Sequence, residues 1–149
     1  MDPYLPSLVS LFNNGKTDLP DGALHRNCVF RLNGRAYHEH LGRAPDDPLV
    51  RLVGCGPAGY RFIVTALRYA LSDAKVMLYD DHAVDQRRGK DAVELTRFAE
   101  LSGVLRGGCE PFHAECELVL REDLHGCIHE IAVTMGDPDV ELLLAARRR

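Results

Sequence analysis

Arg97 lies in the run Val93-Glu94-Leu95-Thr96-Arg97-Phe98-Ala99-Glu100-Leu101 and shares its alternating set with Val93, Leu95, Ala99 and Leu101. In a strand that set faces one side, so the guanidinium is carried toward an apolar interior, where it needs an anion or a carbonyl. The same alternation aligns Asp80 and His82 with Val76 and Leu78, and His129 with Ile131, Val133 and Met135. A carboxylate or imidazole held in a low-dielectric cavity acquires the shifted pKa that general acid or base work requires, and an arginine beside it would polarise a carbonyl. The bland alternatives are equally concrete. They are an ion pair from Arg97 to Asp80 or a bulge that turns Arg97 outward, a surface turn for Asp80 and His82, and a hydrogen-bonded core histidine at position 129.

Gly54-Cys55-Gly56-Pro57-Ala58-Gly59 is a GxGxxG with the apolar run Leu49–Val53 before it, a helical pattern after it, and Lys75-Val76-Met77-Leu78-Tyr79 ending in Asp80 beyond. Such spacing belongs to dinucleotide sites, where glycines let a pyrophosphate approach a helix N-terminus and an acid binds the ribose. That architecture also needs further β-α-β units, and the chain beyond Asp80 carries strand patterns without an amphipathic helix between them. The glycines therefore read mainly as the loop and cap of a central helix, with a dinucleotide site as the lesser alternative. His38-Glu39-His40 places two imidazoles on one side of a strand with no third ligand in the segment. Five cysteines without a CxxC pair suggest buried thiols rather than disulfides or a zinc ribbon. No metal is expected.

The elements that must carry these residues follow from periodicity. Leu5, Leu8, Val9 and Phe12 recur at helical spacing and Asn13-Asn14-Gly15 supplies a stop, so a short helix opens the chain. Cys28–Leu32 reads as a strand entering the hairpin signal Asn33-Gly34. Ala44–Pro48 is a loop, and Leu49–Val53 a second apolar run. From Pro57 to Leu71 the residues Tyr60, Ile63, Val64, Leu67 and Leu71 share one helical face. Beyond it, 74–84, 92–104, 112–121 and 126–135 read as four consecutive strands of an antiparallel meander, followed by a short last helix or a frayed end over 139–146.

Composition narrows the function classes. The chain has 149 residues, 46% hydrophobic and 27% charged, which predicts one folded domain over 1–149. A formal charge of -4 with scattered basic residues argues against nucleic acid as a partner. No apolar run approaches the roughly 20 residues of a membrane helix, and Met1-Asp2-Pro3 does not open a signal peptide, so a cytoplasmic protein with no membrane partner is expected.

The order of elements resembles the nuclear transport factor 2-like superfamily. Leu8–Asp18 looks like its first helix running into an Asn-x-Gly-Asp-type turn, Gly56–Phe62 followed by Ser72-Asp73-Ala74-Lys75-Val76 is similar to its central helix and next strand, and His125-Gly126-Cys127-Ile128-His129-Glu130-Ile131 with Asp137 and Leu142-Leu143 resembles its closing strand. The resemblance covers nearly the whole chain and is closest to SnoaL-like polyketide cyclases and ketosteroid isomerase-like proteins. It implies an α+β fold in which a cone-shaped, curved antiparallel (mixed) sheet packs the N-terminal and central helices on its concave face. It further implies a deep apolar pocket, cofactor-free acid/base chemistry on a hydrophobic oxygenated small molecule such as a polyketide-like ketone, and homodimers through the convex sheet face.

Phe30, Tyr60, Leu78, Leu95, Leu118, Ile131 and Val133 are then the expected substrate-binding residues, and Asp80, His82, Arg97 and His129 the catalytic candidates. Asp137 joins them because it falls within one residue of a catalytic acid of the cyclases. Its alternative is a turn-forming aspartate in Gly136-Asp137-Pro138-Asp139. Three positions depart from the family pattern. Leu8 stands where an isomerase has its oxyanion tyrosine, Ala114–Leu118 lacks the second acid on its inward set, and Arg97-Phe98-Ala99 keeps only the arginine of the Arg-x-Asp of epoxide hydrolases. A non-catalytic binding or dimerisation module of the same fold is the competing expectation.

Overall fold

A computed structural model describes residues 5–17, 19–108 and 110–147, with the backbone alone at 80–82 and 147. Helix α1 (Leu5–Asn13) leads to strand β1 (Leu24–Leu32), which turns through Asn33-Gly34 into the two-residue strand β2 (Arg35–Ala36). Both turn residues have positive φ, 51° and 80°, as a two-residue hairpin loop of the primed type requires. Two short helices follow, α2 (Tyr37–His40) and α3 (Pro48–Val53), then the central helix α4 (Gly56–Ala70). Four long strands β3 (Leu71–Arg88), β4 (Ala92–Leu105), β5 (Pro111–Asp123) and β6 (Ile128–Thr134) lead to helix α5 (Asp137–Arg147).

The sheet order is β2-β1-β6-β5-β4-β3. The meander is antiparallel throughout, and β6 then lies parallel to β1, so the sheet is mixed. The α+β fold read from the sequence is thus the fold observed. The second apolar run, Leu49–Val53, is part of helix α3. Asp47 accepts the amide of Leu49 through its side chain and Pro48 occupies the first turn, so a capped helix start outweighs a short apolar run.

Register shifts in β1, β3 and β6 bend the sheet, and two of them fall at candidate site residues. Tyr79 pairs with Phe98 and Val84 with Thr96, so residues 80–83 of β3 stand opposite Arg97 alone. At the other bulge Glu122 pairs with Ile128 and Arg121 with Glu130, which leaves His129 as the extra residue of β6. Each extra residue reverses the inside-outside phase of its strand and increases local curvature.

Helices α1, α4 and α5 cover the sheet's inner side. Leu5, Leu8, Phe12, Val64 and Val140 are buried there against Phe30, Leu95, Leu101 and Leu120. Burial of each large side chain contributes about 2 kcal/mol. Side-chain amides fix the corners. Asn13 at the end of α1 donates to the carbonyl of Val76 (2.9 Å) and accepts its N–H (2.7 Å), in the manner of a neighbouring peptide unit. Asn33 does the same for Met135 at 2.9 Å in both directions.

Candidate functional site: an apolar cavity with one unpartnered phenol

Between the sheet and the covering helices lies a cavity of about 260 Å³. Leu5, Leu8, Val9 and Phe12 of α1 form one wall, Tyr60, Ile63, Val64 and Leu67 of α4 a second, and Leu143 and Leu144 of α5 close it. The floor consists of inward strand residues, among them Ala99, Cys116, Leu118, Ile131 and Val133. An engineered cavity of about 150 Å³ with similar walls binds benzene, so this one has room for a molecule larger than a single ring.

Polar groups are few on these walls. Among the described residues lining the cavity there is no carboxylate and no imidazole, and Arg31, the one charged residue, turns its Nε to Glu130 at 3.2 Å. Cys116 is buried, which pushes its thiol up to about 11 and keeps it neutral. Tyr37 and Tyr60 supply the phenols. The hydroxyl of Tyr60 has no hydrogen-bond partner among the described residues. Burial raises its pKa above the usual phenol value, with the charge of Arg68 pulling the other way. At neutral pH it is therefore a proton-bearing donor in an apolar chamber.

Of the expected substrate-binding residues, Phe30, Tyr60, Leu118, Ile131 and Val133 line the cavity, whereas Leu78 and Leu95 belong to the packed core around Leu120 and Ile128. Arg97, His129 and Asp137 do not line the cavity. Arg97 keeps its inward position between Leu95 and Ala99, but its Nη1 donates to Asp85 Oδ1 at 2.6 Å, to the Thr96 carbonyl at 3.0 Å and to the Val84 carbonyl at 3.4 Å. The bulge has delivered the partners that the sequence reading sought at Asp80. His129 does not continue the set of Ile131 and Val133, because as the extra residue of a bulge it falls out of phase. Its Nε2 lies 3.1 Å from Asp123 Oδ2. Asp137 opens α5 and accepts from Asn33 at 2.9 Å, the turn-forming role. The side chains of Asp80 and His82 lie outside the described residues.

The glycine motif serves packing. A Cβ on Gly56, whose φ is +65°, would collide with the backbone carbonyl of Arg26, and one on Gly59 would meet the ring of Phe30 at 2.9 Å. These glycines let α4 lie close on β1, which occupies the space a pyrophosphate would need. With a helix in place of the preceding strand as well, the dinucleotide reading is withdrawn. His38 and His40 stand on α2 rather than a strand, each with a ring nitrogen near a backbone carbonyl, Arg43 at 2.8 Å and Leu32 at 2.6 Å. Tyr37 and the convergence of Asp123, Cys127 and His129 escaped the sequence reading. The only signal for Tyr37 was its place just after the Asn33-Gly34 turn.

No protein-family model matches the sequence, and no curated protein matches it. Solved structures do match. A protein of unknown function from an Exiguobacterium species, described as nuclear transport factor 2-like, superposes with a TM-score of 0.60 at 18% identity, over 89% of this chain and 98% of that one. The chain has the nuclear transport factor 2-like fold. Further solved structures are similar to it. One is an epoxide hydrolase/cyclase-like enzyme of pyran ring formation in the polyether salinomycin, with a TM-score of 0.58 and 17% identity over 91% of this chain and 89% of that one. Another is a putative polyketide cyclase from Xanthomonas campestris, with a TM-score of 0.55 and 12% identity over 96% of this chain and 93% of that one. Among the described residues, no helix is long and apolar enough to cross a membrane.

Proposed function

We propose that the cavity binds a hydrophobic, oxygenated small molecule of the polyketide-like ketone class and promotes its cyclisation. The observation that carries this reading is the unpartnered phenol of Tyr60 on an otherwise apolar wall. A donor left without a protein partner on an apolar wall is open to a ligand carbonyl or ether oxygen. Ring closure suits such a site better than enolisation. Enolisation needs a base next to the substrate, and no described carboxylate or imidazole lines the cavity. In a cyclisation the substrate's own hydroxyl adds to its carbonyl or epoxide carbon, the C=O π bond or the epoxide C–O bond breaks, the hydroxyl proton passes to the oxygen so released, and product and substrate are isomers. The protein then supplies a folded substrate conformation and a hydrogen bond to the oxygen that gains charge, with no cofactor. The neutral, donor form of Tyr60 is the form required.

Binding without turnover is the second reading. It is favoured by Arg97, His129 and Asp137, which all engage groups outside the cavity. In either case the convex face is proposed as a homodimer interface, since it carries exposed Met77 and Val84. A thermal-shift screen tests the cavity: fused-ring ketones and phenols are expected to raise the melting temperature, and nicotinamide or flavin dinucleotides to leave it unchanged. Product analysis with hydroxy-ketone and hydroxy-epoxide substrates then separates turnover from binding. If no fused-ring ligand stabilises the protein, the reading fails.

A further inference from the structure

The turn from β5 to β6 gathers three donors of different chemistry. Asp123 ends β5, Cys127 immediately precedes β6, and His129 is the extra residue of the β6 bulge. One carboxylate oxygen, the thiol sulfur and one ring nitrogen all lie within 4.8 Å of one another. His129 Nε2 and Asp123 Oδ2 lie 3.1 Å apart.

The carboxylate is oriented by its surroundings. Its Oδ1 accepts the backbone N–H groups of His125 (2.9 Å) and Cys127 (3.1 Å), which leaves Oδ2 on the side of His129. The ring of His25 stacks on that of His129 with centroids 4.3 Å apart, and its Nδ1 accepts the N–H of Asn27, so it is held against the His129 imidazole. A tetrahedral zinc ion with bonds of roughly 2.0 to 2.3 Å holds its ligand atoms about 3.3 to 3.8 Å apart. The Asp123–His129 spacing is already close to that, and drawing in the sulfur takes about one ångström of side-chain rotation in a turn. None of the three residues lines the cavity, so this is a separate site.

We propose that Asp123, Cys127 and His129 form a binding site for a zinc-class divalent ion, with the fourth coordination position open to solvent. A carboxylate, a thiolate and an imidazole together select a borderline-soft metal over magnesium or calcium, which take oxygen ligands. The thiol proton leaves to solvent as the Zn–S bond forms, and the proton that His129 Nε2 shares with Asp123 moves to Nδ1 or to solvent as the Zn–N bond forms.

The test uses the full chain under reducing conditions, with zinc titrated in competition with a chromophoric chelator and cobalt as the spectroscopic probe. One equivalent of each metal is expected to bind, with a thiolate-to-cobalt charge-transfer band and the strong visible absorption of tetrahedral cobalt. Cys127→Ser should abolish the charge-transfer band and weaken zinc binding by about tenfold or more, since even outer-shell changes cost that much. His129→Gln serves as a second variant with the turn left intact, and should weaken binding by a similar factor. His38→Ala and His40→Ala should change neither reading. The proposal is overturned by an absence of stoichiometric binding, by cobalt binding without a thiolate band, or by folded Cys127 and His129 variants that retain the wild-type affinity.

Discussion

Arg97 and Asp85 meet across a bulge at 2.6 Å, so an arginine placed on the inner phase of β4 is neutralised at the edge of the sheet and does not enter the cavity. The arginine side chain is 15% exposed and the aspartate 42%. Replacing Arg97 by Ala removes a charged hydrogen bond and leaves a carboxylate that water can reach. We expect a loss of about 1–2 kcal/mol in urea denaturation, with ligand binding unchanged.

The same pair predicts a pH dependence. The Arg97 hydrogen bond holds the Asp85 carboxyl below its usual range. Its contribution is therefore present above the unfolded aspartate value near ~4 and fades as pH falls through the lower folded value. Acid titration of stability should be shallower in Arg97→Ala than in the wild type, and salt should reduce the difference, because Asp85 is exposed.

Tyr60→Phe separates the functional reading from a packing role. Removing a hydroxyl that has no protein partner should leave the melting temperature unchanged or slightly higher. Affinity for a ketone ligand should fall roughly tenfold, the equivalent of one hydrogen bond, when measured by calorimetric titration. Equal affinity in the variant would remove Tyr60 from the site.

Thiol chemistry should sort the cysteines by burial. Burial pushes Cys28 up to about 12 and Cys116 up to about 11, whereas Cys55 and Cys127 are only half-buried. At about pH 8 the Cys28 thiolate is roughly one part in ten thousand. Iodoacetamide labelling followed by mass spectrometry should modify Cys55 and Cys127 in the folded protein, and Cys28 and Cys116 only after denaturation.

On the convex face Met77 is 56% exposed and Val84 49%. If that face joins two copies, Met77→Glu and Val84→Glu should halve the mass observed by light scattering while the circular dichroism spectrum stays the same. A wild-type chain that runs as a monomer would remove this interface.

Much of this architecture was legible in the sequence, because α1, α4 and the four long strands each bury one face over many residues and the period is written in their apolar positions. Asn33-Gly34 announced its hairpin for a local reason, the need for positive φ at both positions. The candidate catalytic residues were harder to place, since alternation carries a side chain inward only while the register is regular. A bulge depends on how many residues the opposing strand offers, and that number is not written in the bulged strand itself. His129 lost its inward placement this way, and Arg97 gained Asp85 as a partner. Asp123, Cys127 and His129 converge only through a turn and a bulge together, so their sequence spacing gave no sign of it.

Asn33→Ala should cost about 2–3 kcal/mol by denaturation. Three side-chain hydrogen bonds are lost, to both backbone groups of Met135 and to Asp137, and alanine is strained at a φ of 51°. Asn33→Asp keeps the backbone conformation but sets a carboxylate against Asp137, and should also destabilise.

The two asparagine clamps have a consequence for how this chamber can change. They join α1 to β3 and the β1 turn to the end of β6 through polar bonds, away from the hydrocarbon walls. Attachment and lining are thus assigned to different residues. Wall positions such as Val133 or Leu118 can exchange one apolar shape for another while the corners keep their geometry, so a single frame can be refitted to a new guest one side chain at a time.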